Sequence, residues 1–259
     1  MKKVAIMSEK FDELVNIIAR LRAPNGCKWD REQTHKSLKQ NFIEETYEAL
    51  DAIDDDDMTH LREELGDVLL QVVLHSQIAS EEGAFTIDDV ADGISKKLVH
   101  RHPHVFGDVK VNSTAEILEN WEKLKKEEKP HRKSAMDGIS PSLPALFGAY
   151  KISKKAVKTG FEWPNVESLK ECIKSEFEEF EEAIKENNQT HMEEEMGDIL
   201  FAVVNLARWY KINPEIALAN SNKKFMARFR KMEELAQKPM EEHSLEEFDT
   251  LWKKAKAEL

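Results

Sequence analysis

The sequence has 259 residues, 34% charged and 41% hydrophobic, with a formal net charge of −12 at pH 7. Such a chain reads as helix-rich and soluble, with apolar material for one large core or two ordinary ones, and its negative sign argues against non-specific attraction to nucleic acid or anionic membranes. Two distant cysteines, Cys27 and Cys172, make no disulfide framework and point to a reducing cytoplasm, while no stretch approaches the roughly 20 apolar residues of a membrane span.

The opening MKKVAIMSEKFDELV sets charges too close to its short apolar piece for a signal peptide. From there the apolar spacing is helical almost throughout. Residues 9–22 read as a first helix with Phe11, Leu14, Val15, Ile18 and Leu21 on one stripe, stopped by the Pro-Asn-Gly turn at 24–26. A second helix is expected over 35–54, ended by the acidic run Asp54–Asp57. A third spans 59–81, with Thr59 as N-cap, Glu63 and Glu64 near the positive end of its dipole, and Gly83 closing it. Thr86 or Asp88 opens a fourth, which Pro103 ends, and Ser113 or Thr114 caps a fifth that runs to about Glu128. A polar, proline-bearing linker over 130–142 separates a domain at 1–129 from one at 143–259. In the second, helices are expected over 144–158, 166–186, 190–210, 214–235 and 244–257.

The two halves are written alike. Glu45, Glu48, Glu64 and Asp67 recur 131 positions later as Glu176, Glu179, Glu195 and Asp198. Ser37-Leu38-Lys39 recurs as Ser168-Leu169-Lys170, and Trp121 with Lys125 recurs as Trp252 with Lys256, all at 131. This is an internal duplication. Each copy sets E-x-x-E before E-x-x-D, the second pair starting nineteen residues after the first. Residues three apart share a helix face, so two neighbouring helices can aim four acids at one point. Four such carboxylates repel one another unless a cation sits between them. On a wheel with Glu64 at zero, Asp67 falls at roughly −60°, and Val68, Leu61, Val72 and Leu65 fall between roughly 40° and 100°. The acids therefore border the apolar stripe. Glu45 and Glu48 do the same beside Ala49, Phe42, Ile53 and Thr46. An isolated E-x-x-E in so acidic a chain is usually a solvated face; two linked pairs at equal spacing in both copies outweigh that reading. A di-iron bundle typically needs E-x-x-H pairs, and positions 48 and 67 hold Glu and Asp. An all-oxygen set favours Mg2+ or Mn2+. Mid-helix Gly66 and Gly197 cost about 1 kcal/mol each relative to alanine, which suggests close helix approach or ligand access.

Lys97 and Arg101 lie four apart on the fourth helix, and Lys224 and Arg228 repeat them at an offset of 127. Alone such a pair is surface decoration; beside metal and carboxylates it suits phosphate oxygens. Trp121 and Trp252 either fill core or stack on a base. The run His100-Arg101-His102-Pro103-His104 has poor spacing for one helix face and reads as a structural loop. A Gly-rich P-loop, G-x-S-x-G and C-x-x-C are all absent from the sequence, which removes the Walker-type NTPases, the usual serine hydrolases and the thioredoxin-like enzymes.

The stretches LRAPNGCKWDREQTH, FIEETYEALDAI, LREELGDVLLQVV, KLVHRHPHVFGD and WEKLKKEE, followed by GFEW, EEEMGDILFAVVNLAR, NKKFMARFR and LWKKAK, span nearly the whole chain. They resemble the MazG family of all-α nucleoside triphosphate pyrophosphohydrolases. The resemblance implies an all-α fold of two tandem MazG-type bundles. It also implies Mg2+-dependent hydrolysis of nucleoside triphosphates between the α and β phosphates, giving monophosphate and pyrophosphate. A homodimer whose subunits complete each other's bundles is implied as well. Carried onto this sequence, Glu45, Glu48, Glu64 and Asp67, and then Glu176, Glu179, Glu195 and Asp198, look like metal ligands. Lys97, Arg101, Lys224 and Arg228 look like phosphate contacts, and Trp252 with Lys256 like nucleotide contacts, with Trp121 and Lys125 in the equivalent places. Glu194 and Glu63 are the candidates for the general base. The E-E-x-x-E doublet begins with Glu44 in the first half but meets Ser175 in the second; a shifted doublet at Glu178-Glu179 would lose the spacing of nineteen. Pro103 shortens the first basic helix, so the second half is expected to be the better catalyst. The rival readings are a narrower activity on dCTP, dUTP or damaged nucleotides, a nucleotide-binding regulator without catalysis, and a helical scaffold.

Overall fold

A computed structural model describes residues 2–128 and 133–259, and every regular element among them is helical. Two compact units result, the first ending at Glu128. The first holds α1 (Lys2–Arg22), α2 (Lys28–Glu32), α3 (Lys39–Asp54), α4 (Met58–Glu81), α5 (Ile87–Arg101), α6 (Pro103–Phe106) and α7 (Thr114–Glu127). The second holds α8 (Ala145–Val157), α9 (Val166–Lys185), α10 (Gln189–Trp209), α11 (Pro214–Leu235), a 3-10 turn at Met240–Glu242 and α12 (Leu245–Glu258). Residues 129–132, where the first expected domain ends and the linker begins, lie outside the described residues. From Lys133 the chain turns on Asp137, whose carboxylate accepts from the backbone of Lys133 and Ser134 at 2.8 and 3.0 Å. Among the described residues no helix is long and apolar enough to cross a membrane.

The helix boundaries follow local chemistry. After α1, Gly26 N–H donates to Ala23 O at 2.7 Å and Cys27 N–H to Leu21 O at 2.8 Å. A Cβ at Gly26 would stand 2.2 Å from Leu21 O, so only glycine fits there. The second expected helix starts at Lys39 rather than 35, because Thr34 and Ser37 bond each other's backbone and close a turn first. The cap of α4 is Asp57, not Thr59: its side chain accepts from the N–H groups of Thr59 and His60. Asn188 caps α10 in the same way, accepting from His191 N–H. Thr86 caps α5 in a capping box with Asp89. Pro103 both follows the end of α5 and opens the single-turn α6, since proline needs no donor at a helix start. The sequence pattern missed α2 and α6 because neither is long enough to show a period.

In the first unit Ile18, Leu38, Val73, Leu74 and Ile78 form a buried core, with Phe11, Leu14, Val15 and Leu21 of α1 packed against it. In the second, Met232, Leu251 and Ala255 join α11 to α12. The pairs that position the acids are α3 on α4 and α9 on α10. Ala52 and its repeat counterpart Ala183 are fully buried, small side chains that let each helix pair approach closely. The wheel's apolar side is only partly covered. Phe42, Ile53 and Leu65 remain 39%, 50% and 54% exposed, because packing α3 on α4 buries one flank of each helix and leaves the other open.

Candidate metal centre

Helix α3 presents Glu45 and Glu48, and α4 presents Glu64; one carboxylate oxygen from each lies within 4.8 Å of the other two. Glu176, Glu179 and Glu195 converge identically on α9 and α10. Among the described residues, these are the groups of three or more acid, histidine or cysteine side chains placed to share an ion. Asp67 and Asp198 stand outside these threes, yet their charges act on Glu45 and Glu176. The buried members are Glu64 and Glu195, while Glu45 and Glu176 are half-buried and Glu48 and Glu179 exposed.

Glu64 Oε1 lies 3.0 Å from His60 Nε2, and its Oε2 is buried without a hydrogen-bond partner. A buried carboxylate oxygen left so costs free energy unless a cation compensates it. The carboxyl of Glu45 is pushed above the usual range, first by burial and then by the charges of Asp67, Glu48, Glu64 and Glu44. That of Glu176 is pushed up too, first by burial, against a contact from Cys172 Sγ at 3.5 Å. Hard oxygen donors that repel one another and include a buried unpaired oxygen fit a divalent cation.

Glu63 and Glu194 are exposed and lie outside the converging threes, one position off Glu64 and Glu195 on the helix. The aromatic and basic residues come together in each half. Arg101 pairs with Glu128, its Nε 3.0 Å from Oε1. Its guanidinium lies 5.4 Å from the centre of the Trp121 ring, with Lys125 Nζ at 5.0 Å from the same ring. Arg228 lies 5.7 Å from Trp252, which also packs on Phe225 and on the α11–α12 core. Trp252 thus joins core and cation. Lys97, Lys224 and Lys256 are exposed, the first two one turn before the arginines. Helix α5 packs on α4 and α11 on α10, which puts each basic helix beside an acid-bearing one. The run at 100–104 forms no acid–histidine group of three; His102 joins α5 to α6, its Nδ1 2.7 Å from Leu98 O.

A Cβ at Gly66 or Gly197 would meet nothing within 4 Å, so close approach inside a unit does not explain either glycine. Two residues escaped the sequence reading. His60 and His191 each face the buried glutamate one turn later, His191 Nε2 at 3.2 Å from Glu195 Oε1. Their own spacing of 131 was the available signal.

The MazG nucleotide pyrophosphohydrolase domain family matches this chain twice, at residues 33–106 and 165–233. The nucleoside triphosphate pyrophosphohydrolase/pyrophosphatase MazG of Thermotoga maritima is 47% identical over 260 residues, covering 99% of this chain and 98% of its own length. The nucleoside triphosphate pyrophosphohydrolase of Escherichia coli K12 is 44% identical over 258 residues, covering 95% and 97%. The uncharacterized protein YabN of Bacillus subtilis is 50% identical over 260 residues, spanning 98% of this chain and 53% of that protein.

Proposed function

The chain belongs to the MazG family of nucleotide pyrophosphohydrolases, and from that premise we propose that it cleaves (d)NTPs between the α and β phosphates at a Mg2+ site in each half. It is a nucleoside triphosphate pyrophosphohydrolase, a hydrolase. The observation that carries the site is the convergence of three carboxylates per half, one of them a buried glutamate. Glu45, Glu48 and Glu64 would hold the ion with Asp67 completing the set, and Glu176, Glu179 and Glu195 with Asp198 would do so in the second half. Bound there, Mg2+ (or Mn2+) supplies Lewis-acid polarisation of the triphosphate and acidifies water.

The chain's own residues do the rest. Lys97 with Arg101, and Lys224 with Arg228, bind the phosphates and meet the charge of departing pyrophosphate. Trp121 with Lys125, and Trp252 with Lys256, hold the nucleoside end. Water attacks the α phosphorus, the bond to the bridging β oxygen breaks, and Glu63 or Glu194 takes the water's proton. Two observations favour the second half as the better catalyst. Helix α11 has 22 residues against 15 in α5, and Arg101 is already held by Glu128, so phosphate must compete for it. The open apolar flanks of α3, α4, α9 and α10 support a homodimer in which a second copy covers them. A cytoplasmic setting suits a nucleotide-pool enzyme with two free cysteines.

The test is product analysis with Mg2+ and a panel of (d)NTPs, using the intact chain, Glu64→Gln, Glu195→Gln and the double variant. Monophosphate and pyrophosphate should appear, and the double variant should lose turnover by at least about 100-fold. Release of orthophosphate, or full turnover in the double variant, would sink the assignment.

A further inference from the structure

Each buried cluster glutamate has a histidine at its back. His60 Nε2 stands 3.0 Å from Glu64 Oε1, and His191 Nε2 stands 3.2 Å from Glu195 Oε1. The two histidines are 131 positions apart, so the pairing belongs to the duplicated unit and arises twice. Their backbones are held alike. Asp57 accepts from His60 N–H at 3.0 Å and Asn188 from His191 N–H at 3.3 Å. The cap sets where the imidazole starts, and the four-residue helical spacing lays it against the glutamate.

In the first half the two carboxylate oxygens differ in their surroundings. In Glu64, Oε1 faces the imidazole while Oε2 is buried without a hydrogen-bond partner, and the same carboxylate converges with Glu45 and Glu48. In the second half the histidine is itself oriented: His191 Nδ1 lies 3.1 Å from Glu186 Oε2, which makes a chain Glu186–His191–Glu195. The equivalent position in the first half holds the shorter Asp55.

Resting on the reading of the clusters as metal sites, we propose that His60 and His191 are positioning residues that hold one oxygen of the buried glutamate and present the other to the divalent ion. Groups that orient a metal ligand from outside are commonly worth 10- to 100-fold in metal affinity. Both imidazoles keep solvent access, with side chains 43% and 34% exposed, so alanine, the best helix former, removes the ring without opening a core.

The experiment titrates Mn2+ into the full chain and follows the free ion by electron paramagnetic resonance, with the melting transition as a check on folding. It compares wild type with His60→Ala, His191→Ala, His60→Gln and His191→Gln. Each alanine variant should weaken binding at about half of the sites by about 10- to 100-fold with its melting transition kept. Each glutamine variant, whose amide N–H reaches the same oxygen, should restore most of that affinity. Wild-type or tighter binding in the alanine variants overturns the inference while leaving the metal reading intact, as does a glutamine loss equal to that of alanine. Absence of Mn2+ binding by the wild type overturns the metal reading itself, and the inference with it.

Discussion

Glu45 and Glu176 show how the site works against the fold that carries it. Burial, ahead of the neighbouring acids, raises both carboxyl groups above their ordinary range. A group raised in the folded state stabilises the fold fully below its unfolded value, about 4.3 for glutamate, and that contribution is lost as pH rises through the folded value. The Glu45 and Glu176 carboxyls therefore destabilise the metal-free protein at neutral pH. Glu45→Gln and Glu176→Gln should each raise the melting temperature by a few degrees at pH 7 in chelator, with the gain vanishing near pH 4. Calorimetry at the two pH values checks this, and no gain at pH 7 would contradict it. By the same sign, added Mg2+ should stabilise the wild type more at pH 8 than at pH 5. The acids themselves were legible in the sequence, since spacing and duplication are local properties. Which acid is buried was not legible: the wheel set Glu64 and Asp67 alike at the border of the stripe, and the packing of α3 on α4 put Glu64 under cover.

Among the elements, α12 carries Trp252 and two residues of the α11–α12 core, and its start is held by a reciprocal cap. Ser244 Oγ accepts from Glu247 N–H at 3.3 Å, and Glu247 Oε2 accepts from Ser244 N–H at 2.7 Å. That backbone N–H, and then Lys238 Nζ at 3.0 Å, hold the Glu247 carboxyl down at about 2. A depressed carboxyl contributes stability above its unfolded value, about 4.3, and loses it as pH falls through the folded one. Ser244→Ala should cost about 1 kcal/mol, read as a lower urea midpoint. Wild type should loosen between about pH 4 and pH 2, within the window those values define, and Glu247→Gln should lose less stability across that window than wild type does, the other depressed carboxyls such as Asp57 and Glu128 still titrating. An unchanged midpoint in Ser244→Ala would show that packing alone holds α12. Helix existence was readable from periodicity, whereas caps were read within a residue or two: Asp57 and Thr59 are both good capping residues, and only the backbone at the turn chooses between them.

As a whole molecule, the chain is a duplication whose halves have diverged. In the first, His35 and His75 stack with ring centres 5.0 Å apart beside Phe42, at positions where the second half has Val166, Leu206 and Ile173. In the second, Arg208 links Ser153 to Glu162. With Arg101 committed to Glu128 as well, Glu195→Gln should lower kcat about tenfold more than Glu64→Gln, a step of about 1.4 kcal/mol in barrier. Equal losses would mean two equivalent sites. Sedimentation should find twice the 29.9 kDa of one chain, and Leu65→Glu or Leu200→Glu, on flanks 54% and 50% exposed, should shift it toward monomer; a wild-type monomer at micromolar concentration would remove the dimer. The sequence by itself determined the long helices, the doubling and the eight acids, because periodicity, repeat offset and residue spacing are all carried along one chain. Tertiary structure alone decided that Glu64 and Glu195 go inside, that Arg101 is held by Glu128, and that one apolar flank stays open. Each of those depends on how two helices pack and where a cap starts them, and the linear pattern is the same for several such arrangements.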